Sequence, residues 1–112
     1  VATEQECRAA LDRFTANLAG NAEELRRKAN LDRSMVCRVT DLGIAFRGRL
    51  VAGQLVDLAE GDDPDAEIAL SAASDDLIAM VDGKLDFLQA VATRRVSISA
   101  HPFDLLKLRN LR

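Results

Sequence analysis

Ser74-Asp75-Asp76-Leu77-Ile78-Ala79-Met80-Val81-Asp82-Gly83-Lys84-Leu85-Asp86 decides how the rest of this chain is read. Ser74 is a suitable helix N-cap, and Asp75 and Asp76 then stand in a first turn, where the helix dipole favours negative charge. Leu77, Met80 and Val81 share one helical face, and Gly83 is a natural residue for the left-handed step that ends a helix. Beyond the Gly83-Lys84-Leu85 turn, Asp86 and Gln89 have the spacing of a capping box, and Phe87, Ala90 and Val91 repeat the helical period. Val96, Ile98 and Ala100 alternate as a strand, and Pro102 sits where a helix start needs no N–H. Phe103, Leu105, Leu106, Leu108 and Leu111 sort onto no single stripe, which predicts a closing helix packed between layers or lying over an apolar space. From Ser74 to Leu111 there is much apolar surface and almost no reactive chemistry.

Upstream, Thr3 with Glu6 is a capping box that opens a first helix, with Cys7, Leu11, Phe14 and Leu18 on its inner stripe and Gly20 as its stop. Asn21 to Ala29 reads as a polar surface helix, supported by the acid-first pairs Glu23–Arg27 and Glu24–Lys28. From Ser34 the period becomes two. Met35, Cys37 and Val39 face inward, with Val36 an apolar exception on the polar side. Asp41-Leu42-Gly43 turns the chain into a second strand, with Ile44, Phe46, Gly48 and Leu50 inside and Arg47 and Arg49 outside. Ala52-Gly53 reads as a hairpin tip, and Val56 and Leu58 as the inner face of a third strand. After the loop Glu60–Asp65, Ala66, Ile68 and Leu70 supply the inner face of a fourth.

The whole, residues 1–112, reads as one domain, large enough for a real core. A net charge of −3 gives no electrostatic case for gripping a phosphate backbone, so no nucleic-acid partner is expected. With four Phe and neither Tyr nor Trp, any apolar pocket must be lined mainly by aliphatic side chains. The longest uninterrupted apolar run, Leu77 to Val81, is too short to span a bilayer. Cys7 and Cys37 fit no metal or redox spacing and read as reduced, buried small hydrophobes in a cytoplasmic protein.

The chemistry-bearing residues are sparse. His101 is the single histidine and, standing before Pro102, is read as an extended strand-exit residue rather than a catalytic base. No Gly-x-Ser-x-Gly elbow or phosphate-cradling loop occurs, and Asp62-Asp63-Pro64-Asp65 lacks the spacing of a calcium loop. No catalytic residue, metal or cofactor is therefore expected. Arg38, Arg47 and Arg49 read as a wet outer face of the sheet, with Arg94-Arg95 at the start of the last strand.

In order, these elements and residues resemble the sterol carrier protein 2 family. The likeness is sharpest over Asp76–Asp86, where such proteins show a "D-L…L…G-K-L" pattern. It continues through Ala90, Val96-Ser97-Ile98 and the ending Leu106-Lys107-Leu108-Arg109-Asn110-Leu111, and Leu31 to Asp41 looks like the family's first strand. Where the family commonly has Gly before the fifth strand and Gly-Asp after it, this chain has Thr93-Arg94-Arg95 and Ala100-His101-Pro102.

The resemblance implies an α+β fold: a five-stranded, largely antiparallel mixed sheet with helices over one face, enclosing an apolar tunnel. It implies a non-catalytic carrier of a sterol, fatty acid or fatty acyl-CoA. Under it, Phe14, Leu18, Phe46, Leu50, Ile68, Leu77, Met80, Val81, Phe87, Val91, Phe103 and Leu106 are the candidate tunnel lining; from the residues alone they are simply core. Arg94 and Arg95 are candidate contacts for an anionic head group, in an acyl-CoA or at a transiently touched membrane. The closing helix would then be a lid. A second reading is an accessory domain that presents apolar substrate to, or stabilises, a partner enzyme or fused domain. A helix-plus-curved-sheet enzyme like the ketosteroid isomerases fits less well, because the inner-face positions hold no Asp or Glu to serve as its base.

Overall fold

The structure is a computed structural model that describes residues 2–20, 32–52 and 54–102, the side chains of 18 and 19 excepted. Helix α1 spans Glu4–Gly20 and starts on the reciprocal cap that the sequence predicts. Glu6 N–H donates to Thr3 Oγ1 at 3.1 Å and Thr3 N–H donates to Glu6 Oε1 at 3.1 Å. Cys7, Ala10 and Leu11 form its buried face, with Phe14 half-buried beyond them. The side chain of Leu18 lies outside the described residues, as do the helix expected over 21–29 and its two charge pairs.

Five strands follow the predicted order: β1 (Asp32–Val39), β2 (Ile44–Val51), β3 (Gln54–Glu60), β4 (Ile68–Ala72) and β5 (Val96–Ser99). They form one sheet in the order β3-β2-β1-β4-β5, in which only β1 and β4 run parallel. Paired residues share a face, so the register Cys37↔Phe46, Cys37↔Leu70 and Leu70↔Ile98 places one apolar row across four strands. Helices α2 (Ser74–Val81) and α3 (Phe87–Ala92) cover the same face as α1. Cys7 and Leu11 of α1, Leu77 of α2, and Leu85 and Ala90 pack there against Cys37, Val39, Phe46, Ala72 and Val96.

The joint between α2 and α3 forms as its glycine predicts. Gly83 has φ +75, a backbone region open to Gly at no steric cost, and its N–H returns to Met80 O at 3.2 Å. Asp86 then caps α3, its Oδ2 accepting Gln89 N–H at 3.0 Å.

Three expectations are corrected. The third strand does not present Val56 inward: Val56 pairs with Arg49 on the outer face, and Leu55, paired with Leu50, is the buried residue. The hairpin register, Val51↔Gln54 and Leu50↔Leu55, is the cause, and a bulge follows it. Asp57 adopts φ +57 and the register shifts between Arg47 and Arg49, so that Leu58 also returns to the inner face. Gly48 makes room for this, since a Cβ there would stand 3.1 Å from Val56 O and 3.2 Å from Leu55 Cδ1.

Ala66 belongs to the loop before β4, its N–H donating to Asp63 O at 3.2 Å, and Ile68, Leu70 and Ala72 carry the inner side instead.

Ser74, the third correction, is not the N-cap of α2. It lies inside the helix behind Ala73, fully buried, and its hydroxyl makes no cap.

The face opposite the helices is not simply a wet row of arginines. To reach β4 from β3 the chain must pass β2 and β1, and polar groups of that crossing join the outer side. Asp62 Oδ1 accepts Arg38 Nε at 2.9 Å, Ser34 N–H donates to Glu67 Oε1 at 3.2 Å, and Glu67 N–H donates to Ser34 Oγ at 2.9 Å. Arg47 lies beside Gly61. Val36, among Ser34, Arg38 and Arg47 on this side, is fully buried, which accounts for the apolar exception in its strand. Arg49 pairs with Asp32 at 2.7 Å. Asp62–Asp65 closes on itself as the solvated turn expected, with Asp63 N–H on Asp62 Oδ1 at 2.9 Å and Asp65 N–H on Asp63 Oδ1 at 3.1 Å.

Candidate functional site

The helix-facing side of the sheet gathers the apolar candidates into three clusters. Phe46 and Leu77 are buried in the largest, with Met80, Val81, Phe87 and Val91 half-buried against it. Leu50 and Ile68, 1% and 0% exposed, form a second with Met35, Ile98 and Ala100. Phe14 belongs to a third, around Leu55. Leu58 packs against both the first and the third, and Met35 against both the second and the third. The clusters therefore join into one apolar band along the sheet. Leu18, Phe103 and Leu106, and the closing helix as a lid, lie outside the described residues.

Beyond the lining candidates the band includes Leu55, which sequence reasoning missed, and Met35 and Ile98, which it read as inner-face or strand residues without naming them as lining. The alternation in β1 and β5 held the signal for the last two. Leu55 had one as well, since a tight turn after Val51 pairs Leu50 with Leu55; what the sequence did not show is the bulge at Asp57 that brings Leu58 to the same side.

At the opposite end from Leu50, the chain start is bolted to the sheet and α2. Ser74 Oγ donates to Asp41 Oδ2 at 2.7 Å and accepts Ala2 N–H at 3.0 Å, while Ser74 N–H donates to Asp41 Oδ1 at 2.8 Å. The hydrogen bond from the Ser74 hydroxyl, helped by the Ser74 amide, holds the Asp41 carboxyl below its ordinary value against a smaller opposing effect of burial. Both hydrogen-bonding capacities of this hydroxyl are committed to neighbours, so its role is to join three elements.

The thiols are equally inert. Cys7 and Cys37 are free and buried in the same cluster. Burial, with Cys7 alongside, pushes the Cys37 thiol up to about 12, and burial raises Cys7 as well, followed by the charges of Asp41, Glu6 and Asp75. Neither is a thiolate at neutral pH, the form that attacks or ligates.

Arg94 and Arg95 part company. Arg95 grips Asp76 through both Nε and Nη2. Arg94 is exposed, with φ +64, a backbone region that favours glycine. His101 is exposed. Among the described residues no group of three or more His, Cys, Asp or Glu is placed to hold a metal ion, and no helix is long and apolar enough to cross a membrane.

A separate cleft of about 340 Å³ lies between the first turns of α1 and strands β2 and β3, lined by Glu4, Gln5, Arg8, Ala9, Asp12, Phe46 and Glu60. A side-chain hydrogen bond that the protonated Glu4 donates to Glu60, and then the charge of Glu60, raises the Glu4 carboxyl above its ordinary value.

Solved structures match this fold. Sterol carrier protein 2 like 2 from Aedes aegypti superposes with a TM-score of 0.72 at 13% identity, over 96% of this chain and 97% of that one. UbiJ-SCP2, a ubiquinone synthesis protein, gives 0.59 at 10% identity over 88% and 90%. The stereoselective inverting sec-alkylsulfatase Pisa1 from Pseudomonas sp. gives 0.60 at 22% identity over 77% of this chain, which spans only 14% of that enzyme's length. No curated protein sequence matches. The sequence profile of the SCP-2 sterol transfer family matches residues 18–111. With its mixed five-stranded sheet, its helices on one face and an apolar band between them, the chain belongs to the SCP-2 sterol transfer family.

Proposed function

We propose that this chain is a non-catalytic carrier that holds a sterol, fatty acid or fatty acyl-CoA between the sheet and the helices. The observation that carries the proposal is the continuous apolar band, bridged by Leu58 and Met35, in a member of a sterol-transfer family. On this reading the ligand lies along Phe14, Phe46, Leu50, Ile68, Leu77, Met80, Val81, Phe87 and Val91. The committed Ser74 hydroxyl and the protonated thiols fit a protein that does no chemistry on its cargo. Two free, buried thiols suit a reducing, cytoplasmic setting.

The energetics suit a carrier. A buried chain of roughly a dozen methylenes at about 0.8 kcal/mol each gives on the order of 10 kcal/mol gross. Lost freedom and protein ordering remove a good part, leaving roughly micromolar binding that still permits release. Of the two candidate head-group cations, Arg94 is the better placed, because Arg95 is engaged with Asp76.

A second reading is an accessory domain that presents apolar substrate to a partner enzyme, or stabilises it. It is favoured by the likeness to a small part of a sec-alkylsulfatase and to a ubiquinone synthesis protein. Native mass spectrometry of the purified chain, with solvent extraction, separates the two, together with displacement of a fluorescent fatty acid. The carrier reading expects co-purified lipid and displacement. A lipid-free protein that displaces nothing overturns it and leaves the accessory role.

A further inference from the structure

Among the described residues Leu88 is the one large apolar side chain left exposed, at 48%. It stands on α3, whose other large apolar residues turn inward: Phe87 and Val91 pack against the core, as does the fully buried Ala90. Ala92, also exposed, lies one turn on from Leu88 and continues the same outer stripe.

Exposed cations stand before and after α3 in the chain. Lys84, exposed, is fixed four residues before Leu88 by its N–H bond to Ala79 O at 2.8 Å. Arg94, exposed, follows the C-cap Thr93, its N–H on Val91 O at 3.1 Å. Neither has an ion-pair partner among the described residues. Of the neighbouring acids, Asp76 is paired with Arg95 and Asp82 with Arg13 at 3.1 Å, while Asp86 accepts the Gln89 amide and keeps its negative charge. The chain as a whole is acidic at −3, so these two cations, without ion-pair partners among the described residues, are a local feature.

We propose that this outer stripe of α3 docks on an anionic lipid surface, Leu88 entering the boundary between head groups and acyl chains while Lys84 and Arg94 meet lipid anions. The inference extends the carrier reading, since cargo must leave or enter a membrane somewhere. Charge and size select the occupant. A helix of six residues is about 9 Å long, and one leucine is far less apolar area than a stable protein interface needs. A bilayer accepts single side chains and offers anions in no fixed geometry, which suits two separate, flexible cations. The contact is weak by construction: each cation contributes about fivefold near an anionic surface, and one leucine about tenfold.

The test is co-sedimentation of the full chain with phosphatidylcholine vesicles, with and without phosphatidylserine. Wild type is expected to bind the anionic vesicles more than tenfold better than the neutral ones. Lys84→Gln with Arg94→Gln should erase most of that preference, and Leu88→Gln, at an exposed position, should lower anionic binding about tenfold. Equal binding to both vesicles, or variants that bind as wild type, overturns the proposal. So does a Leu88-dependent protein complex without vesicle binding, which would assign the stripe to a protein partner. Displacement of a soluble fluorescent fatty acid is read on the same samples. Normal loading without vesicle binding sinks the docking alone, whereas loss of loading in the wild type sinks the carrier reading.

Discussion

Ser74→Ala isolates the bolt between the chain start, the β1–β2 turn and α2. The substitution changes no helix propensity for the worse and removes one hydroxyl, whose partners are Asp41 Oδ2 at 2.7 Å and Ala2 N–H at 3.0 Å. Asp41 faces water and can be resolvated, so the cost falls on the buried Ala2 amide and on the void left at Ser74, which is fully buried. A lost buried hydrogen bond with an amide left unpaired costs about 1–2 kcal/mol. For a domain of this length that is a fall in Tm of about 4–8 °C.

The pH dependence gives the sharper test. The Asp41 carboxyl is held below its unfolded value, near 3.8, so its contribution is fully present above that value and is lost as the pH falls through the lower folded one. The difference between wild type and Ser74→Ala should therefore be largest at neutral pH and shrink in strong acid. Thermal unfolding followed by circular dichroism, stepped from neutral pH to well below 3.8, reads both quantities. An unchanged Tm would refute the bolt. A loss that stays constant into strong acid would refute the part assigned to the carboxylate.

Two further outcomes are expected. Arg94→Gly should raise stability by about 1 kcal/mol by relieving a left-handed backbone at φ +64. Arg94→Ala, which keeps the Cβ, should give no such gain; equal unfolding midpoints for both variants would count against backbone relief. Glu4→Gln should flatten the acid limb of the stability profile. Because Glu60 raises the Glu4 carboxyl in the folded state, wild-type stability falls as the pH rises from the ordinary value of 4.5 through the folded one. Parallel wild-type and Glu4→Gln urea profiles across that range would show that the two carboxylates do not interact.

The sequence by itself determined the local events. Thr3 and Glu6 form their reciprocal cap, Asp86 caps α3, Gly83 takes the left-handed step, and the change of period from 3.6 to 2 marks where helix gives way to strand. Each depends on groups a few residues apart, so composition and spacing suffice. The family resemblance added how those elements assemble, the mixed sheet with the helices on one face.

Only the tertiary structure decided the rest. Leu58 faces the core together with Leu55, on opposite parities of one edge strand, because of one positive φ at Asp57. The Ser74 oxygen, suited to accepting an amide of its own helix, accepts Ala2 N–H instead, while its O–H goes to the Asp41 carboxylate 33 positions earlier in the chain. Val36 is buried where polar groups of the β3–β4 crossing join the outer face, and Arg95 is taken by Asp76 while Arg94 is left facing solvent. In each case the partner is distant in sequence, and a side chain's role is set by which groups the register and the crossover bring within 3 Å or so of it.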